Sequence, residues 1–344
     1  MRIFLTASND TTLYQRYPTN NAGLDEILEV GKLAKPEDLE IAYSGSAART
    51  AISFDISNSS SFFELTPRYF LSLKIANATK LPYSQEIQIH KISSPWTEGS
   101  GYFVQQSKNA GDGATWRQST KSVSWSYGAP YAEEPSQSVI LNEYPLNDLH
   151  IDVTDILHPV VSESLEWNGL LIKFVSSSEV DQENAGNIKF FSKQTHTIHQ
   201  PTLQIAWDDS TFVTGSVLKA IPNTFDISVV PKNVQESYVR GSKERIRLFV
   251  RDKYPPKTFD ATLRYKNKYY LPSSSYFSIV DVQAGTTIVP DDEFSKISCD
   301  PTGSYFVLDT IPLYKNRYYS VNININNGNS DINIIPEVFT FLVK

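Results

Sequence analysis

The stretch from residue 150 to residue 208 decides the fold class, and it reads HIDVTDILHPVVSESLEWNGLLIKFVSSSEVDQENAGNIKFFSKQTHTIHQPTLQIAWD. Residues 169–175 form a short, nearly continuous apolar run, which is typical of a buried strand. Residues 201–207 alternate with a period of two, as a half-buried strand does. The stretch therefore predicts two strands from the closing part of a β-sandwich, and it contains no catalytic arrangement.

One short helix is predicted before these strands, over residues 155–161. The Thr154 hydroxyl can accept a hydrogen bond from the free amides of the first turn, so Thr154 is the expected N-cap. Ile156, Val160 and Val161 fall on one side of such a helix. Pro159 cannot donate a backbone hydrogen bond, which limits the helix to one or two turns.

The composition of the 344-residue chain favours strands joined by turns, because it contains 19 Tyr, 18 Phe and 19 Pro. Its length predicts two domains, and we place them at residues 1–210 and 211–344. The single cysteine, Cys299, excludes an intrachain disulfide framework. The first ten residues contain too short an apolar run for a signal peptide, and no stretch is long enough for a membrane helix. We therefore expect a soluble protein made in a cytoplasm.

Alternating strands are the clearest local signal in residues 1–210. Residues 49–56 and 69–75 alternate apolar and polar side chains, and residues 85–92 form another strand. Residues 99–149 are expected to be a long polar insertion. Six residues on the apolar phase of their strands are predicted to be buried: Ile52, Phe54, Leu71, Leu73, Leu171 and Ile205.

A series of short motifs in residues 8–208 resembles the DNRLRE domain, the disaggregatase-related repeat family of β-sandwiches. In chain order the motifs are Asn20 to Gly23, Val30-Gly31, Arg49, Phe54-Asp55, Leu71-Ser72-Leu73, Trp96-Thr97-Glu98-Gly99, Val153-Thr154, Gly169 to Phe174 and Pro201-Thr202-Leu203. Two positions depart from the family pattern. Val160 or Val161 replaces a helix Trp, and Phe191-Ser192-Lys193-Gln194 stands where the family has Ser-Arg-Glu. The resemblance implies a jelly-roll-like sandwich, similar to carbohydrate-binding modules, with one short helix.

Residues 211–344 predict a second all-β domain. Strands are expected at residues 214–220, 224–230, 245–251, 261–266, 276–282, 305–308, 318–325 and 339–343. About seven short strands in this length indicate an immunoglobulin-like sandwich.

Charge is divided unevenly between the two parts. Residues 1–210 carry 15 basic and 25 acidic residues, whereas residues 211–344 carry 16 basic and 13 acidic residues. Residues 232–268 alone hold 11 basic and 4 acidic residues. This basic stretch is either a solvated surface or a contact surface for an acidic partner, such as another copy's first domain. Nucleic acid is not expected, because no binding motif accompanies the charge.

If the basic stretch is a contact surface, its tyrosines are the expected aromatic anchors, because they interleave with the charges. The alternative is that these tyrosines belong to the core. The candidate partner-binding residues of this stretch are Arg245, Arg247, Arg251, Tyr254, Tyr265, Lys266, Lys268, Tyr269 and Tyr270. Trp116 and Trp125 are further candidates, which either cap the end of the first sandwich or form stacking platforms for a sugar or a protein.

No residue pattern indicates catalysis, a metal or a cofactor. His196 and His199 are predicted to be independent polar residues, and the acids of residues 291–293 are most simply a solvated turn. There is no nucleophile elbow and no phosphate loop. The expected function is therefore not enzymatic.

The sequence resembles structural proteins of tailed-bacteriophage virions, which share its Asn-, Ser- and Tyr-rich composition and tandem β-domains. That resemblance implies a place in the tail, baseplate or fibre, or else in the neck or head, with other virion proteins and further copies of the chain as partners. A carbohydrate-binding or adhesion module that binds a host glycan is the alternative.

Overall fold

The computed structural model describes residues 1–34, 42–57, 66–81, 84–103, 112–126, 128–142, 146–163, 165–181, 186–254, 268–328 and 331–344. Over these residues the chain is all-β, with 24 strands and two short helices. It divides into two compact units. The first unit is Phe4–Ile205, and the second unit combines Met1–Ile3 with Ala206–Lys344.

Thirteen strands and both helices lie between Arg2 and Ala206. They are β1 Arg2–Tyr14, β2 Ile27–Ala34, β3 Ala42–Phe54, β4 Arg68–Leu73, β5 Ile75–Thr79, β6 Ser84–Ile92, β7 Gln118–Thr120, β8 Val123–Ser124, β9 Tyr131–Asn142, β10 Leu149–Asp152, α1 Thr154–Ser162, β11 Leu170–Phe174, α2 Ser176–Val180, β12 Asn187–Phe191 and β13 Thr202–Ala206. Eleven of these strands form one sheet, along the path β10-β4-β13-β1-β3-β11-β6-β9, with β2, β12 and β5 joined to it. β7 and β8 pair with each other.

β11 is a fully buried interior strand of this sheet, as its apolar run predicts. All five of its residues are buried, and it pairs antiparallel with β3 on one side and β6 on the other. The predicted burial of Ile52, Phe54, Leu71, Leu73, Leu171 and Ile205 is confirmed, because each is at most 1% exposed.

The predicted helix is present, but the prediction that Thr154 is its N-cap was wrong. α1 is nine residues long, and its N-cap is Val153, which makes no side-chain capping bond. The first helical amide, that of Thr154, donates to the Asp152 carboxylate at 2.9 Å. The Thr154 hydroxyl instead accepts a hydrogen bond from the Tyr69 amide at 2.9 Å. A neighbouring strand therefore outcompetes the helix terminus for this hydroxyl. Within the described residues, no helix is long and apolar enough to cross a membrane.

Other local predictions for the first part also need correction. The expectation of one helix was wrong, because α2 follows β11 directly. The stretch 150–208 contains β12 in addition to the two predicted strands. Residues 99–149 are not purely an insertion, because β9 pairs with β6 over most of its length. Only one of the twelve β9 residues is buried, so this strand does not need apolar side chains at alternate positions. Its sequence therefore lacks the alternation that indicates a half-buried strand.

Eleven strands lie in the second unit, more than the seven or so that were expected. They are β14 Lys219–Ala220, β15 Ile227–Lys232, β16 Ser237–Tyr238, β17 Lys243–Asp252, β18 Tyr269–Tyr270, β19 Tyr276–Asp281, β20 Thr286–Val289, β21 Ser298–Asp300, β22 Gly303–Asp309, β23 Arg317–Asn326 and β24 Ile332–Val343. Several have only two or three residues, which is too short for a sequence pattern. The predicted strand at residues 261–266 lies outside the described residues.

Two sheets build the second unit around one apolar core. One has the path β14-β18-β17-β22-β21 with β15 beside β17, and the other has the order β16-β24-β23-β19-β20. The core joins side chains from both sheets, such as Ile246 and Leu308 from the first and Val321 and Phe341 from the second. The arrangement is sandwich-like, because this core lies between side chains of the two sheets.

Candidate interaction surfaces

The alternation of β17 places a row of cations on one face of its sheet. Ile246, Leu248 and Val250 are buried on the core side. The intervening odd-numbered residues lie on the opposite side, because successive strand side chains alternate between faces. We define the basic face as seven cationic and aromatic residues on that side of β17 and its two neighbours: Lys232, Lys243, Arg245, Arg247, Phe249, Arg251 and Tyr305. The uncharged residues Ser228, Val230 and Val307 lie on the same side.

The strand register makes residues of three adjacent strands neighbours on the basic face, with Arg247 in the middle strand. Lys232 of β15 is opposite Arg247 in one direction, and Tyr305 of β22 is opposite it in the other. The basic stretch of the sequence thus supplies neighbouring side chains on a sheet, although Lys232 and Arg247 are fifteen positions apart in the chain.

Aromatic rings hold the cations of the basic face in place. The Lys232 ammonium lies 4.6 Å from the Phe249 ring centroid, and the Arg245 guanidinium lies 4.4 Å from that of Tyr305. The Arg247 guanidinium is 5.4 Å from the same Tyr305 ring. Each such cation–π contact contributes about 0.5–1 kcal/mol at an exposed site. Tyr305 is consequently covered, although it lies on the outer side of its sheet.

Two carboxylates partly neutralise the basic face. Asp300 accepts a bidentate pair of hydrogen bonds from Arg247, at 2.9 and 2.7 Å, and Asp309 lies 3.1 Å from the Lys243 ammonium. The Arg247 hydrogen bonds hold the pKa of Asp300 well below its usual range. Arg245 is further from Asp300, at 4.0 Å, and its side chain is 55% exposed. Within the described residues, five cations against two carboxylates leave this face positive.

Of the tyrosines predicted as anchors that lie in the described residues, Tyr254 is the most exposed, at 79%. Tyr269 is a core residue, and its hydroxyl donates to Asp252 at 2.7 Å. Tyr270 is half-buried and packs edge-on against Phe212. Lys268 is exposed. Tyr265 and Lys266 lie outside the described residues.

The two tryptophans of the first unit lie against its core. Trp116 is buried in a cluster with Leu13, Ala47 and Leu171, and Trp125 packs against the same cluster while its indole NH donates to the Thr115 carbonyl at 3.0 Å. This environment favours the capping role over a stacking platform.

Arg49 covers the Trp116 ring. Its guanidinium lies 4.9 Å from the ring centroid and donates to both carboxylate oxygens of Glu179, at 2.8 and 2.7 Å. A third hydrogen bond reaches the Gly128 carbonyl at 3.0 Å. A bidentate ion pair of this kind is geometrically specific, so Arg49 fixes the position of the indole.

The first unit contains a buried network of acidic residues that the sequence did not predict. Asp10, which is 1% exposed, accepts a hydrogen bond from the Lys193 amide at 2.6 Å, while its second oxygen has no protein partner. Glu98 accepts from the Asp10 amide at 3.1 Å and from the Lys193 ammonium at 2.7 Å. Burial raises the pKa of Asp10 to about 7, and the nearby Glu98 charge adds to the effect. Because these residues are far apart in sequence, no spacing could have indicated the network.

Among the residues that the structure describes, no group of three or more His, Cys, Asp or Glu side chains could hold a metal ion. No protein-family model matches the chain, and no curated protein matches its sequence.

Proposed function

We propose that this protein is a structural component of a tailed-bacteriophage virion that acts by packing against other proteins. The composition and the ordered DNRLRE-like motifs support this proposal. The observation that carries it is the basic face, where five cations and two aromatic rings share one side of a sheet. Such a face fits an acidic protein surface better than a small substrate, because it is extended and its cations are held by neighbouring side chains.

The acidic partner that the sequence itself offers is the first part of another copy. Residues 1–210 carry ten more acidic than basic residues, whereas residues 211–344 carry three more basic than acidic. Complementary charge of this kind steers association and raises its rate, and salt screens it. Copies joined in this head-to-tail manner would form a ring or an open array.

Charge alone would not hold such a contact together. Each exposed ion pair contributes only about 0–1 kcal/mol. Stability would come from aromatic groups that lose water in the contact, with Phe249 at the centre of the basic face and Tyr254 beyond the end of β17.

The proposal is tested by sedimentation velocity on the full chain at low and high ionic strength. We expect self-association at low salt that weakens as salt is added. The double variant Lys232→Gln/Arg245→Gln removes two charges from the basic face and should remain monomeric. The matched control Lys315→Gln/Lys344→Gln removes two exposed charges elsewhere in the second unit and should associate like wild type.

Two results would contradict the assignment of the basic face. One is a wild-type chain that stays monomeric at every salt concentration. The other is an equal loss of association in both double variants, because that would make net charge, and not this face, the cause.

A further inference from the structure

The second unit contains a small open pocket apart from the basic face. Its volume is about 330 Å³, at the lower end of the range of roughly 300–1,000 Å³ for small-molecule sites. Its lining includes Phe212, Tyr276, Lys296 and three serines. The pocket is large enough for one monosaccharide.

Two aromatic residues, Phe212 and Tyr276, line the pocket, and backbone pairing to neighbouring strands holds each of them in position. Phe212 is 41% exposed and packs edge-on against Tyr270, with the ring centroids 5.9 Å apart. Its backbone bridges to Cys299, and the next amide donates to the Cys299 carbonyl at 2.9 Å. Tyr276 begins β19, where it pairs with Asn324. An exposed phenyl ring that is anchored in this way loses little conformational entropy when a ligand stacks on it.

Hydroxyl groups supply the polar part of the lining. Ser273 is exposed, and Ser274 donates its hydroxyl to the Asn326 carbonyl at 2.7 Å, which leaves its oxygen able to accept from a ligand. Ser210 lies at another position on the lining. Neutral donors and acceptors beside aromatic rings match a ligand that has both hydroxyl groups and an apolar face.

Charge narrows the ligand class further. Lys296 lines the pocket, but its ammonium is bound to Asp208 at 2.6 Å. An anionic ligand would therefore find a cation that is already neutralised. A cationic ligand would find no carboxylate among the residues that line the pocket. The lining thus favours a neutral molecule.

We propose that this pocket binds a neutral saccharide ring, which stacks its C–H face on Phe212 and directs hydroxyl groups toward the serines. The site is independent of the proposed assembly role, because it uses no residue of the basic face. With one ring and few polar contacts, its dissociation constant should be on the order of 1 mM or weaker.

Saturation-transfer NMR on the full chain tests this site, with methyl β-glucoside, methyl β-galactoside and N-acetylglucosamine as neutral probes and glucuronate as the anionic probe. We expect transfer to the ring C–H protons of at least one neutral sugar. Phe212→Ala should abolish it by removing the stacking surface. Ser273→Tyr should also abolish it by filling the pocket, and it removes no packed side chain.

Phe225→Ala is the matched control, because Phe225 is an exposed phenyl ring of the second unit that does not line the pocket. It should bind sugar like wild type. The proposal is overturned if wild type binds none of the neutral probes, if only glucuronate binds, or if transfer survives in both pocket variants.

Discussion

Replacing the buried Asp10 with asparagine should stabilise the protein at neutral and alkaline pH. The Asp10 carboxyl is 1% exposed, one of its oxygens has no protein partner, and the Glu98 carboxylate is close by. The amide side chain of the Asp10→Asn variant would keep an oxygen to accept the Lys193 amide without burying a charge, and its NH₂ group could donate to Glu98.

The magnitude follows from the raised pKa. Burial raises the pKa of Asp10 to about 7 in the folded chain, while an unfolded aspartate has a pKa near 3.9. Between these values the folded state holds a proton that the unfolded state has lost, so wild-type stability falls as pH rises through this window. At about 1.4 kcal/mol per pH unit, the loss reaches at most about 4 kcal/mol above pH 7. The Asp10→Asn variant does not have this loss.

Urea unfolding followed by tryptophan fluorescence measures the difference between pH 4 and pH 8. Trp96, Trp116, Trp125 and Trp167 lie in the first unit, so the signal mainly reports the unit that contains Asp10. We expect the variant and wild type to have similar free energies of unfolding near pH 4 and to separate steadily up to pH 8, with the variant more stable. A difference in stability that does not depend on pH, or a wild-type protein that is the more stable at pH 8, would contradict this prediction.

Asp55→Asn is the control for this effect. Asp55 is exposed, and hydrogen bonds from Ser57 lower its pKa. Its ionised form is therefore favoured in the folded state, so the same substitution should have a small effect of the opposite sign.

Two further predictions concern the cores. Leu171→Ala leaves a cavity at a fully buried site in β11 and should lower the free energy of unfolding in urea by about 2–5 kcal/mol. Val123→Ala, at an exposed strand position, should change this free energy little. Equal losses in the two variants would mean that Leu171 is not part of a packed core. Asp281→Asn weakens the hydrogen bonds that Asp281 accepts from Arg317 and from two backbone amides, and it should cost about 2–3 kcal/mol at pH 7 by circular dichroism melting. Although burial opposes ionisation, these bonds lower the pKa of Asp281, so the cost should shrink as pH falls below 4, and a constant cost would contradict the ion pair.

Strand positions that face a core could be predicted from the sequence, because burial imposes a period of two that is visible in the chain. Leu71 and Leu73 show this period directly, whereas β11 was visible as a continuous apolar run because all five of its residues are buried. β9 could not be found in this way, since only one of its twelve residues is buried and it therefore has no such period. The two- and three-residue strands of the second unit are too short to carry a period.

Side-chain partners were much harder to predict than strands. The basic stretch was visible as composition, but only the folded structure shows that the Lys232 ammonium lies over the Phe249 ring and that Arg247 is paired with Asp300. The network of Asp10, Glu98 and Lys193 depends on three distant segments coming together, which local pattern does not encode. Which charged side chains are paired with one another depends on which segments the fold brings together, and not on residue type alone.

The burial of Cys299 has a practical consequence. The thiol is 1% exposed within β21, and burial raises its pKa. Only a thiolate that reaches solvent reacts with an alkylating reagent. Because this is the only cysteine in the chain, each labelled molecule reports that the pairing of β21 with β22 has opened. The rate of labelling under native conditions therefore measures how often the second unit opens, while tryptophan fluorescence mainly reports the first.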